Sequence, residues 1–249
     1  MAGLKIKTDN GLKIRNDSFY SSFLTVSYAL RLEYIVLRVI GLLKGLMKME
    51  NSPPVPVMSY QITQPRLKFI YPQVYGLPNP MVERKINQTI FQLVQRLIAE
   101  SGYYEIPDVD VTGTYEIKTN ELGVLSLSII IYWYSGGAHG MTVIKSLTFD
   151  VATGRDYSLS ELFKPGSDYI RVISDQVRQQ IRERQIDLFE EPFKSIRPDQ
   201  DYYIADKALV VYFQLYEIAA YVFGILYFPI SVYSLQDIVD ENSPLGKMI

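Results

Sequence analysis

The residues able to do chemistry in this chain are few and widely spaced. Its one histidine, His139, lies in Tyr132-Trp133-Tyr134-Ser135-Gly136-Gly137-Ala138-His139-Gly140, which also holds its one tryptophan. A Ser135–His139 dyad would set a base beside a hydroxyl, as nucleophilic catalysis needs, but nothing in the pattern supplies an orienting acid or an oxyanion hole. Gly136, Gly137 and Gly140 suit a tight or bulged reversal in which φ is positive. Successive exposed amides there could also cradle an anion, with His139 as a switchable donor. We read the stretch as a strand end and shaped turn that helps present a binding face, with Ser135, Gly136, Gly137 and His139 as candidate ligand contacts.

A second candidate is the apolar stretch "YFQLYEIAAYVFGILYFPISV", residues 212–232. Its aromatics suit a ligand groove, and they also suit strands entering a core. Tyr216 and Glu217 are the candidate contacts. A carboxylate in such apolar sequence must be exposed, paired or protonated. Other charges carry less. Asp108 and Asp110 fall on one side of an expected strand, as glycosidase carboxylates sometimes do, yet spacing alone shows no cleft between them. Glu190, Glu191, Asp199 and Asp201 read as solvated loop charges, and Arg171, Arg178 and Arg182 as a solvated helix face.

Composition removes several classes. With no cysteine, the chain has no disulfide, thiolate metal site or cysteine nucleophile; with one histidine, it has no multi-histidine zinc site within one chain. No metal, cofactor or catalytic residue is expected. A net charge of −2 offers no general grip on nucleic acid. The 249 residues, 48% hydrophobic and 21% charged, can bury a full core.

The elements that must hold these residues are legible from periodicity. Val57–Thr63 and Leu67–Tyr71 read as short, edge-like strands because Pro65 and Pro72 interrupt them. A helix follows, capped by Asn79 with Pro80 in its first turn, striped by Ile86, Ile90, Leu93, Val94, Leu97 and Ile98, and ended by Gly102. Then the period becomes two. Val109, Val111, Tyr115 and Ile117 alternate with polar residues; Leu125, Leu127, Ile129, Ile131 and Trp133 share a face opposite Ser126 and Ser128; Met141, Val143, Leu147 and Phe149 continue the pattern. This is an antiparallel meander covered on one face. A second helix is expected from about Ser167, as cap, to Arg184, with Ile170, Ile173, Val177 and Ile181 inward. Strands at Leu209–Leu215 and Phe228–Val232 and a helical turn near Leu235–Val239 complete an α+β outline: a mainly antiparallel sheet with two helices packed on one face.

The first 56 residues read as an extension, and 57–249 as a single α+β domain. Phe23–Met47 is apolar but carries Arg31, Glu33, Arg38 and Lys44. On an insertion scale the apolar residues contribute roughly −4 to −8 kcal/mol, against about +10 for the charges if central. An imperfect membrane anchor, an interfacial helix and non-native upstream sequence remain open, the last with a native start at Met47 or Met49.

Several segments together resemble one family. "YPQVYGLPNPMVERKINQTI", "YWYSGGAHGMTVIKSLTFDVATGRDYSLSELF", "VVYFQLYEIAAYVFGILYFPISV" and "YSLQDIV" occur in the order seen in a bacterial domain-of-unknown-function family. That family forms the extracellular half of lysozyme-sensing anti-sigma factors and is appended to some peptidoglycan deacetylases. The resemblance runs from about Tyr60 to Val239. It implies a module outside the cytoplasmic membrane, associated with the cell envelope, that binds rather than catalyses, with lysozyme or peptidoglycan as partner. The sequence departs from the family at Gln214-Leu215 and Ala220, where relatives often carry Asn-Pro and Pro. The expectation is a non-enzymatic envelope-associated binding domain for a lysozyme-like protein or cell-wall glycan. The alternatives are a carbohydrate-active hydrolase using acidic residues, and a cytoplasmic structural protein if the chain starts at Met47 or Met49 without an export signal.

Overall fold

The computed structural model describes residues 53–249. The expectations for the N-terminal apolar segment and the native start lie outside those residues. Two antiparallel-rich sheets form the frame. The larger has six strands in chain order: β1 (Val57–Gln64), β2 (Leu67–Val74), β3 (Asp110–Glu121), β4 (Val124–Tyr134), β5 (Met141–Asp150) and β6 (Arg155–Asp156). The smaller has three: β7 (Tyr202–Ala205), β8 (Ala208–Phe213) and β9 (Leu226–Ser231). The α+β class and the mainly antiparallel pairing are as expected; the two helices are shared between the sheets, one on each.

Helix α1 (Pro80–Glu100) starts where the Asn79 side chain accepts from the Met81 amide at 2.9 Å. Its stripe of Ile86, Ile90, Leu93, Val94, Leu97 and Ile98 is buried against β2 and β4, over Leu125, Leu127, Ile129 and Ile131. Asn87 on the same helix donates to and accepts from the Val74 backbone, finishing β2 as another strand would. Helix α2 (Tyr169–Arg184) packs on β9, with Ile173, Val177 and Ile181 in a second core. Its cap is Asp168, which accepts from the Arg171 amide, and not Ser167. Ser167 Oγ is buried with no partner.

Three other local expectations change for physical reasons. Strand β2 is an inner strand, because its first residues pair in parallel with β3 from Leu67 to Phe69. Pro72 is tolerated there since that ladder stops before it. A register shift between Ile117 and Thr119 interrupts the β3 alternation, leaving Ile117 exposed and Thr119 buried. Ser126 and Ser128, expected opposite the covered face, are themselves buried. Their hydroxyls hold the second sheet: Ser126 Oγ bonds Thr148 Oγ1 at 2.9 Å and accepts the Ile204 amide at 3.0 Å. Ser128 bonds Ser146, which in turn meets the Tyr212 hydroxyl at 2.9 Å. The meander is therefore covered on both faces along this end, greasy on one side and hydroxylic on the other. Strand β7, not anticipated from the sequence, is the element that docks there. The helical turn expected near Leu235–Val239 is present as one turn closed by the Val239 amide on the Leu235 carbonyl at 3.1 Å, and a 3-10 turn at Val232–Ser234 precedes it.

Candidate functional site

The β4–β5 connection projects from the end of the larger sheet. Gly136 and Gly137 take φ of 96° and 110°, so the expected positive-φ reversal is present at those two positions. Both look onto open space, so their requirement is conformational. Gly140 differs: its φ is not positive, but a side chain there would collide with the Tyr132 ring and the Trp133 carbonyl. Tyr134 donates from its hydroxyl to the Gly137 carbonyl at 2.8 Å, bracing the loop.

His139 is held from both ring nitrogens. Nδ1 lies 3.0 Å from the Gly140 carbonyl, which requires Nδ1–H as the donor. Nε2 is then the acceptor for the Tyr216 hydroxyl at 3.1 Å. The imidazole also stacks on Tyr221, with centroids 4.1 Å apart and planes 20° off parallel. Tyr216 and Tyr221 rings lie 5.5 Å apart. Tyr216 itself sits at φ 62°, a left-handed position that turns its ring out of the β8 direction and toward the histidine. The structure thus joins His139 to Tyr216 across 77 residues of chain. The catalytic-dyad geometry is absent, because both imidazole nitrogens are engaged elsewhere and Ser135 stays on the exposed tip.

Glu217, adjacent in sequence, belongs to a different network. Its Oε1 pairs with the Arg197 guanidinium and accepts from Gln200 at 3.4 Å, while Oε2 accepts the Gln214 amide at 2.7 Å. The Arg197 guanidinium is held above its usual range: partial burial opposes this, and Glu217, followed by Asp199 and Asp201, outweighs it. Gln214 extends the network to the larger sheet through both backbone groups of Ile144 and to Asp201 at 3.0 Å. Asp201, expected as a solvated loop charge, is mostly buried and chelates Lys145 through both oxygens at 2.9 Å. Arg178 is likewise not a simple surface charge; it clamps the Phe193 and Lys194 carbonyls. Asp108 sits at φ 63° beside Arg66, which also pairs with Asp110, so these carboxylates face a cation and not a sugar cleft.

The surface above these networks is aromatic. Tyr134, His139, Tyr216 and Val222 are exposed, Val222 at 86%, and half-buried Tyr221 stacks on the histidine. Beside it, residues 188–190 and 192–195 with Glu217 and Ile218 line an open cleft of about 420 Å³ that bears Phe189, Glu190 and Lys194. Sequence reading found the histidine loop and Tyr216-Glu217 but not Tyr221, Arg197, Gln200 or Gln214. The departure at Gln214-Leu215 marked that turn as unusual without revealing what the glutamine would bridge. Among the described residues, no helix is long and apolar enough to cross a membrane.

Residues 61–142 match the family described as Deacetylase PdaC, and residues 160–233 match Protein of unknown function (DUF3298). The anti-sigma-V factor RsiV of Bacillus subtilis (strain 168) is 29% identical over 174 residues, which cover 64% of this chain. The match spans 60% of the length of that relative. Two crystal structures share the fold at 14% identity: a DUF3298 family protein of Pseudomonas aeruginosa PAO1 and a member from Bacteroides fragilis NCTC 9343, with TM-scores of 0.61 and 0.60. Each covers 78% of this chain and 97% of its own. Residues 160–233 thus match the DUF3298 family, and the similarity as a whole is to domains of the kind found in anti-sigma factors and deacetylase-associated proteins.

Proposed function

We propose that this domain is a non-catalytic sensing module of the bacterial cell envelope, and that it binds a folded protein of the lysozyme type through the His139–Tyr216–Tyr221 surface. The observation that carries the reading is the arrangement of that surface. Its aromatic side chains are fixed by one another and by the two loops, so little side-chain entropy remains to be lost on binding. Exposed tyrosines around an apolar tip, Val222, are the composition of a protein interface core. The similarity to an anti-sigma factor supports a sensing role, and the family resemblance supplies the extracytoplasmic setting and the lysozyme-like partner. The carboxylate beside the site supports binding over hydrolysis: Glu217 is committed to Arg197 and a backbone amide.

A second reading, cell-wall glycan as ligand, is favoured by the cleft beside Glu217, where exposed Phe189 could stack on a sugar face next to polar Glu190 and Lys194. One experiment separates the two. Purified chain is titrated with lysozyme and, separately, with peptidoglycan fragments, and the same samples are analysed for cleaved or deacetylated products. Saturable lysozyme binding that Tyr221→Ala weakens supports the protein reading. Fragment binding lost on Phe189→Ala supports the glycan reading, and product formation overturns both.

A further inference from the structure

The terminal strands of the two sheets differ in how their outer edges are treated. At β9 the Tyr227 and Pro229 carbonyls accept from Arg184 and Gln180 of α2. At β7 the Ile204 and Asp206 amides donate to the hydroxyls of Ser126 and Thr119. Strand β6 is only two residues long. Strand β1 has none of these protections. It runs eight residues as Val-Met-Ser-Tyr-Gln-Ile-Thr-Gln, without a charge, a proline or a break in register. Such an open row of N–H and C=O groups templates pairing, and natural edges normally carry a device against it. Among the described residues, nothing pairs with its outer side.

The direction of each backbone group follows from one bond. The Tyr75 amide donates to the Pro56 carbonyl at 3.1 Å, so that position of the β1–β2 ladder is a hydrogen-bonded one. Bonded positions alternate in antiparallel pairs, so Met58, Tyr60, Ile62 and Gln64 spend their backbone groups on β2. Val57, Ser59, Gln61 and Thr63 aim theirs outward.

We propose that β1 pairs antiparallel with β1 of a second copy of this chain, about a two-fold axis at Tyr60, joining the two six-stranded sheets. In that register Val57 lies opposite the partner's Thr63 and Ser59 opposite the partner's Gln61, and each outward N–H and C=O within β1 finds a partner. A register centred on Gln61 would set Val57 against Pro65, which has no N–H to give. The chosen register also matches side chains. Tyr60 meets the partner's Tyr60 and Met58 meets the partner's Ile62 on one face. Met58 and Tyr60 are 50% and 44% exposed, and Tyr60 continues through Tyr71 to Phe91 of α1, itself 40% exposed. Pairing covers this apolar strip with an identical one, as a self-complementary two-fold interface requires.

The absence of cysteine makes the test specific. In the full chain, Tyr60→Cys places the sole thiol on the axis, where facing Cβ atoms of a non-hydrogen-bonded pair approach to about 4.5 Å, within disulfide reach. Sedimentation of the unmodified chain is expected to show a concentration-dependent dimer. Tyr60→Cys is expected to form a covalent dimer at least roughly tenfold faster than Tyr75→Cys, since pairing raises the local thiol concentration. Tyr75 is a fair control, being 48% exposed but off the axis. Gln61→Pro deletes an outward N–H while leaving the β1–β2 ladder intact, and is expected to return the folded chain to monomer. Should that variant fail to fold, Tyr60→Lys, which sets like charges face to face, is expected to do the same. A chain that stays monomeric at all concentrations, a dimer that survives these substitutions, or equal cross-linking at residues 60 and 75 would each overturn the proposal.

Discussion

His139 spends one ring nitrogen on a backbone carbonyl and the other on a tyrosine hydroxyl, which leaves it no capacity to act as a general base without breaking the loop contact. Its removal costs two hydrogen bonds that water can replace and a stack, so His139→Ala is expected to destabilise by about 1 kcal/mol or less. Gly137→Val should cost more, about 1–2 kcal/mol, because a β-branched residue is strained at φ 110°. Denaturant midpoints of the two variants check the order; equal small shifts would reject the shaped-turn account. Glu217→Ala makes a separate case. It leaves the Gln214 amide without its acceptor and takes one of two carboxylate partners from Arg197, and a loss of about 1–2 kcal/mol is expected by the same measurement. At this scale the sequence was only partly legible. The glycines announced a reversal, but whether each served φ or clearance depended on Tyr132 folding back over Gly140. Glu217 announced an oddity, but its partner Arg197 lay in a loop whose path no periodicity defines.

At the scale of elements, the strand faces and both helices were readable because apolar spacing reports burial against a helix or sheet directly. Ile86 to Ile98 and Leu125 to Ile131 are the clear cases, and they meet in one core. What the pattern could not report was the burial of small hydroxyls. Ser126, Ser128 and Thr148 look like a solvent face, yet each satisfies a polar group of the second sheet or its neighbour strand. This arrangement predicts an asymmetry. Ser126→Ala leaves the buried Ile204 amide without its acceptor and should cost about 1–3 kcal/mol. Thr112→Ala, on an exposed position of β3, should shift the midpoint by no more than about 0.5 kcal/mol. The β3 register shift falls after Ile117, which still pairs with Leu127, and the one extra residue there turns Thr119 to the face of Ser126.

At the scale of the whole molecule, the C-terminal segment is tied back to the larger sheet by an ion pair, Lys247 to Asp150, with both side chains nearly buried. Burial alone would raise the Asp150 carboxyl, but the Lys247 ammonium and the two Thr153 bonds outweigh it and hold it below the usual range. Glu161 is lowered to about 2, first by the Ser158 amide and hydroxyl and then by Arg155. Both are carboxylates with depressed folded-state values. Their contribution is therefore complete above the ordinary carboxylate range and is lost as pH falls below it, toward about 2 in the case of Glu161. Acid titration of stability should show a decline over that window, with its Asp150 share removed in Lys247→Met. That substitution should also cost about 3 kcal/mol at neutral pH, because it leaves a buried carboxylate without its cation. The account of function rests on the aromatic surface that this framework holds in place. The most direct test is a titration of the full chain with lysozyme, with Tyr221→Ala alongside and product analysis of every sample. The account predicts saturable binding, no cleaved or modified product, and a loss of about thirtyfold in affinity for Tyr221→Ala with its fold retained. Binding that ignores Tyr221, turnover of any substrate bond, or no binding at all would contradict it.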